Sequence, residues 1–440
     1  MNRESCGSML LVFLRLFLSK KSSPDLDWTD GCHKKGVTKM NSNKSGKKHT
    51  ERWNIYRNIP LDYIFTFLKN LDMSTSVWVL YLAFKGMNLW QIGILEGVYH
   101  ITSMICEIPS GAAADLLGRK RTVVWGRLCT AISCILMLLS GKFWGFALSF
   151  VIQALGNNLN SGSEEALVYD SMKQCGREPE YLKVNGRINL LIEISQSIAT
   201  VAGGILAERS YVWCYGASVI IALLALLPAV LMKEPEITQE IRKSGGMIKQ
   251  HFVTSFRILA ENREIRRIML YFEMVFAFYT VLFFYSQQYF YDMGLNKVEI
   301  SVIMLLGGLA SCLGALASEK VYGKAGEKTQ YAAALVIAAG LAGFFLHRLP
   351  VSVVLFVAAC FANALLYSIQ SISLNRLIPS GQRATLISVG SMLFSVIMIL
   401  LFPAAGAAAE RIGLSGTFLL LGALQMVMTV SFYRDSHRHK

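Results

Sequence analysis

Charge is scarce in this chain. Only 16% of its 440 residues are Asp, Glu, Lys or Arg, while 53% are hydrophobic, and the mean hydropathy is +0.43. A soluble domain of this size has no use for so much apolar surface. No C-x-x-C pair occurs among the nine cysteines, so neither a zinc site nor a dithiol redox pair is expected. Cys106, Cys129, Cys134, Cys312 and Cys360 fall inside apolar stretches and read as small packing residues. An H-E-x-x-H helix and a G-x-x-x-x-G-K-[ST] phosphate loop are both missing, which leaves zinc hydrolysis and ATP-driven pumping without support. Acids are scarcer than bases, 29 against 43, for a net charge of +14. That excess does not point to nucleic acid, because Lys and Arg sit in short segments between apolar runs rather than along one face. Neither an enzyme nor a chain with a cofactor, a metal or a nucleic-acid partner is expected.

What is abundant is apolar runs of membrane-crossing length. A span needs roughly 20 mostly apolar residues. Twelve such helices are predicted, at about 59–83, 89–112, 122–140, 143–169, 184–207, 211–232, 267–291, 298–318, 329–347, 351–376, 382–406 and 414–433. Below they are numbered as spans one to twelve. One set of connections is basic, with Arg119-Lys120-Arg121, then Lys173 to Arg187, Lys233 to Arg267, Lys320 to Lys328, and Arg376 with Arg383. The alternate set holds single charges only, at Lys85, Lys142, Arg209, Lys297, Arg348 and Arg411. By the positive-inside rule both termini face the cytoplasm, which requires an even number of spans. A plasma membrane or a bacterial inner membrane is the expected location.

The longest connection divides the chain into halves. The organisation expected is a basic lead-in at 40–57, a six-helix half at 58–232, a linker at 233–266, a second six-helix half at 267–434 and a basic tail at 435–440. Two such halves are related by an axis along the membrane normal in duplicated transporters. Within the linker, Ile248, Phe252, Phe256 and Leu259 recur at helical spacing between basic residues, suiting an interfacial helix. Residues 1–39 fit neither a span nor a cleavable leader. Met9 to Leu18 is short and interrupted by Arg15, so translation is expected to start at Met40.

After span two comes Gly111-Ala-Ala-Ala-Asp115-Leu-Leu-Gly118-Arg119-Lys120-Arg121. This resembles the signature loop of the major facilitator superfamily, G-x-x-x-D-x-x-G-R-[KR], between its helices two and three. The resemblance extends over about residues 55–434 when span number and layout are included. It implies an all-α membrane protein, twelve transmembrane helices in two pseudo-symmetric six-helix halves, and secondary transport by alternating access. In the family this loop latches the halves, so Gly111, Asp115, Gly118 and Arg119 are gating candidates, with Arg127 and Glu107 as partners of the gate. Ser163-Glu-Glu-Ala-Leu-Val-Tyr-Asp170-Ser-Met-Lys173 and Glu107-Ile-Pro-Ser-Gly111 resemble segments of bacterial drug-efflux members. The Gly-Pro-rich antiporter signature of span five is not present.

Ionisable side chains in hydrocarbon are expensive and need a partner or a purpose. Glu96 and His100, one turn apart in span two, make a candidate proton relay. In span four Asn157, Asn160, Ser161 and Glu164 share one face of a continuous helix, a stripe suited to a water-filled cavity. Glu193 in span five joins them. In the second half Asn363, Tyr367 and Gln370 share a face, with Glu273 nearby in sequence character. Span one holds Asp62, Lys69 and Asp72, of which Lys69 and Asp72 are expected to neutralise each other and read as structural. The reading reached is a proton-gradient-driven exporter of small amphipathic compounds, mechanically sufficient as a monomer in the bilayer. The alternative is an importer of a polar nutrient such as a sugar or nucleoside.

Overall fold

A computed structural model describes residues 55–236, 262–377 and 383–438, without side chains at 108, 115, 371–388 and 437–438. The N-terminal extension, most of the basic lead-in, the proposed linker helix and the Asp115 side chain therefore lie outside the described residues.

Every described element is helical, and the helices resolve into twelve crossings. Eight segments are long and apolar enough to cross a membrane as they stand, among them the stretch from Val389 to Ser436. That last stretch belongs to the helix Arg383–Arg438, which turns at Gly413 and so supplies spans eleven and twelve. Span two is the long but more polar helix Leu89–Leu117. The remaining two crossings are composite. Span one joins Asn58–Asn70 to Trp78–Phe84 through a non-helical stretch, and span four joins Phe143–Asn160 to Ser163–Gln174 through Ser161 and Gly162.

Local chemistry explains where the helices begin. Asn88 and Asn296 cap spans two and eight (Lys297–Ala325) in reciprocal capping boxes with Gln91 and Glu299. Asn262 caps span seven (Arg263–Asp292) by accepting from Glu264 N and Ile265 N at 3.1 Å each. Span three (Arg119–Leu139) starts directly at the positive-φ Gly118, and spans five (Tyr181–Arg209) and six (Tyr211–Leu231) meet at Ser210.

Packing repeats with the duplication. Span three lies against four and six, and span one against five and six; span nine (Lys328–Gly343) lies against ten (Leu349–Leu377) and twelve, and seven against eleven and twelve. Lipid tails supply no hydrophobic drive between helices, so close backbone approach and side-chain hydrogen bonds must do the work. Gly314 fits so closely that an added Cβ would lie 2.2 Å from the Phe361 carbonyl oxygen. Gly126 and Gly156 bring spans three and four together, an added Cβ on either lying 2.8 Å from the other's carbonyl oxygen. Trp90, Trp144 and Trp213 are exposed at the ends of their helices, as a belt requires, but Trp78 is not. Its ring lies edge-on to Phe150 and to Phe284 of the other half, at 5.9 and 5.2 Å.

The halves touch through span two on eleven and span five on eight. These contacts begin at the face with single-charge loops and run inward. Deeper in, they include His100 with Ser395 (3.2 Å) and Glu193 with Cys312 (3.5 Å). Nearer the basic face Gly111 has nothing within 4 Å of an added Cβ.

Candidate functional site

The break in span one turns a polar helix face toward span four. Asp62, Thr66 and Lys69 lie along one face at successive turns. Lys69 forms an ion pair with Glu164, and Thr66 Oγ1 donates to Glu164 Oε1 at 3.0 Å. Asp62 is 1% exposed. Thr66 lies beside it but gives its proton to Glu164, and neither Asp62 oxygen accepts a close hydrogen bond. The expected Lys69–Asp72 pair is not formed. Asp72 sits in the non-helical stretch, where it accepts from Ser74 N (3.0 Å), Ser74 Oγ (2.8 Å) and Ser218 Oγ (3.2 Å) of span six.

Arg127 completes this cluster. It is buried, its Nε donates to the Ala222 carbonyl at 3.4 Å, and Asp72 and Glu164 are the carboxylates whose fields it feels. Its side chain points to span six rather than to Glu107, and the expected pairing with Asp115 lies outside the described residues. Glu107 is half-buried near the basic face, where its backbone carbonyl accepts from Ser110 Oγ at 2.9 Å.

The span-four stripe is a correction. A helix interrupted at Ser161 and Gly162 does not carry the i, i+7 spacing, so Asn157, Asn160 and Glu164 do not share one face. Asn157 is exposed and donates to Tyr99 OH at 3.0 Å. Asn160 is buried against Gly126, its Oδ1 without a hydrogen bond, and so packs between helices. Asn158, absent from the expectation, exchanges two hydrogen bonds with Ser103 of span two.

Glu96 and His100 do face each other, with Nε2 to Oε1 at 3.6 Å, and the other ring nitrogen meets Ser395 across the halves. His100 is flanked edge-on by Tyr99 and Phe394. Glu193 is exposed in the cleft beside Cys312. In the second half Gln370 Nε2 donates to Glu273 Oε1 at 2.8 Å, both residues buried, while Tyr367 is exposed and Asn363 Oδ1 is unbonded. Asn363 and Gln370 in span ten have the same spacing in the chain as Asn157 and Glu164 in span four. The first half holds an ion pair between spans one and four, and the second an amide–carboxyl pair between spans seven and ten.

The signature loop is built around a carboxylate that the sequence reading overlooked. Glu234, just beyond span six, accepts from Arg119 N (2.7 Å) and Lys120 N (2.8 Å), the free donors at the start of span three. Gly118 is required twice there. Its φ of 96° suits glycine, and an added Cβ would lie 2.9 Å from the Glu234 carboxyl carbon. The Arg119 guanidinium turns away to pair with Asp170 and to donate to the Ala166 carbonyl. The gating candidates Gly118 and Arg119 are therefore tied to spans four and six within their own half, whereas Gly111 stands clear.

Twelve crossings in two packed halves, with buried charge lining their interior, define a multi-pass membrane transporter. The model of the Major Facilitator Superfamily matches residues 63–361, more than half of the chain. The chain belongs to that superfamily, and it is a secondary transporter rather than an enzyme. It is 25% identical over 395 residues to the uncharacterized MFS-type transporter YxaM of Bacillus subtilis (strain 168), covering 84% of this chain and 94% of that one. The inner membrane transport protein YajR of Escherichia coli (strain K12) is 27% identical over 186 residues, 41% of this chain and 38% of YajR. The crystal structure of the nucleoside transporter NupG superposes with a TM-score of 0.68 at 14% identity, over 87% of this chain and 98% of NupG, a likeness of fold.

Proposed function

We propose that this transporter is driven by a proton gradient and exports small amphipathic compounds, with its basic face and both termini in the cytoplasm. The observation that carries the coupling is a charge count. Asp62, Lys69, Asp72, Arg127 and Glu164 are three acids and two bases gathered within one half. Fully ionised, the cluster holds one net negative charge in surroundings where an uncompensated charge costs about 2.5–3.5 kcal/mol. One proton removes it. Asp62 is the group that takes the proton, because Lys69 and Thr66 are both engaged with Glu164.

The substrate class is supported by the cleft. Tyr99, Phe394, Trp78 and Phe284 present aromatic rings from both halves, beside the polar Asn157, Glu193 and His100. Such surfaces suit compounds with one apolar and one polar end. The halves meet toward the charge-poor face, leaving the other side as the route by which a cytoplasmic compound arrives. The proton moves inward as substrate moves out, and nothing beyond substrate, protons and lipid is needed.

The test is transport into energised inverted membrane vesicles of lipophilic dyes and antibiotics. Uptake that collapses with a protonophore and fails in Asp62→Asn and Glu164→Gln is expected. Absence of dye movement at normal protein levels, with proton-dependent uptake of a sugar or nucleoside in right-side-out vesicles, would replace export by import.

A further inference from the structure

The charge-poor face carries one arrangement twice. Spans two and eight begin with Gly86-Met87-Asn88-Leu89-Trp90-Gln91-Ile92 and Gly294-Leu295-Asn296-Lys297-Val298-Glu299-Ile300. Each opens on a positive-φ glycine, at 85° and 93°, and each has its asparagine in a capping box. Spans five and eleven approach the same face with Gly204-Ile205-Leu206-Ala207-Glu208-Arg209 and Gly406-Ala407-Ala408-Ala409-Glu410-Arg411. The glutamates occupy the same place in the two motifs, and both reach across to the other half.

Glu410 Oε1 accepts from Leu89 N at 2.9 Å, and Glu208 Oε2 accepts from Lys297 N at 2.9 Å. Leu89 and Lys297 are the first residues of their helices, whose N–H groups have no partner within the helix. The capping asparagines are already committed to Gln91 N and Glu299 N, at 2.8 and 2.9 Å. A carboxylate from the opposite half thus takes the donor left over, at the end where the helix dipole favours a negative charge. The glycine one turn earlier makes the approach possible. A Cβ on Gly406 would lie 2.3 Å from Leu89 O, and one on Gly204 would lie 2.0 Å from Ser301 Oγ and 2.8 Å from Lys297 O.

We propose that Glu208 and Glu410 are a matched pair of latches, one given by each half to the other, that hold the charge-poor face shut and let go together. They belong to opposite halves and grip opposite halves, so parting the halves breaks both and breaking one loosens the other. Glu208 has an additional grip, since Lys297 Nζ lies 3.6 Å from the same carboxylate oxygen. This assignment depends on neither the substrate nor the direction of transport.

Hydrogen exchange by mass spectrometry on the full chain in lipid nanodiscs tests it. Glu208→Ala should speed exchange at 297–300, its own contact, and also at 89–92, which Glu410 holds. Glu410→Ala should do the reverse. A latch of helix-dipole strength corresponds to roughly 2- to 5-fold in each region, and the double variant should approach the product. Glu208→Gln and Glu410→Gln keep an acceptor oxygen and should fall between, which serves if an alanine variant misfolds. Gly406→Ala, which leaves both carboxylates in place, should raise exchange at 89–92 and 297–300 alike. Acceleration confined to the contact that was altered, in all of these variants, would overturn the coupling and leave two independent helix caps.

Discussion

Removing either partner of the Lys69–Glu164 pair changes the charge count of the first half in opposite directions. Glu164→Gln leaves Asp62 and Asp72 against Lys69 and Arg127, a neutral set with no proton bound. Lys69→Met leaves three acids against Arg127 alone, two net negative charges. The uncompensated carboxylate would cost about 2.5–3.5 kcal/mol at the centre of a bilayer. The side chains here are 30% and 13% exposed, so about 2 kcal/mol is a better figure. For a six-helix half this is a fall of about 4–8 °C in Tm. The double variant Lys69→Met/Glu164→Gln has two acids and one base, which restores the original single negative charge. We therefore expect Lys69→Met to melt early and the double variant to recover most of that loss. Glu164→Gln should melt close to the wild type but lose uphill transport driven by a pH gradient, while keeping substrate exchange across membranes without a gradient. The assays are melting in detergent followed by tryptophan fluorescence, and counterflow against gradient-driven uptake in proteoliposomes. The reasoning is refuted if Glu164→Gln still accumulates substrate with an unchanged response to the gradient. It is equally refuted if the double variant is no more stable than Lys69→Met.

Four further outcomes follow from individual sites. Asn58→Ala removes the hydrogen bonds of Asn58 to Ser171 Oγ, Lys233 O and Lys233 N, so a loss of about 2–4 kcal/mol is expected in denaturant unfolding. Gly126→Ala places a methyl 2.8 Å from the Gly156 carbonyl oxygen, a backbone atom that cannot move aside alone, and should cost about 1–3 kcal/mol by the same measurement. Glu234→Ala frees Arg119 N and Lys120 N and should lower stability by about 1–2 kcal/mol. Gly118→Ala should cost at least as much, because it meets both the positive φ and the carboxylate.

Much of the fold is legible in the chain because hydrocarbon permits few solutions. Apolar length and the alternation of basic and charge-poor loops carry the twelve crossings, and the signature loop carries the family. Side-chain partners are less legible, since pairing in a bundle depends on which helices become neighbours. Lys69 and Asp72 are three residues apart and read as a pair, yet the chain leaves its helix at Leu71, so they do not share a continuous helix. Asn160 and Glu164 read as one face for the same reason, and Gly162, with a φ of 73°, is the signal that breaks it. Glu234 sits at a loop boundary and gives no pattern of its own. Its role is visible only once span six ends beside the start of span three.

The two composite crossings have a mechanical consequence. Spans one and four are jointed, whereas their counterparts, spans seven and ten, are unbroken helices of 30 and 29 residues. A continuous helix resists bending along its whole length, while a joint concentrates bending at the few residues outside the hydrogen-bonded ladder. Asp62 and Lys69 lie on the near side of one joint, and Glu164 follows directly after the other. The first half is therefore the pliable jaw of the molecule and the second the stiffer anvil, with Asp62, Asp72 and Glu164 set at the knuckles.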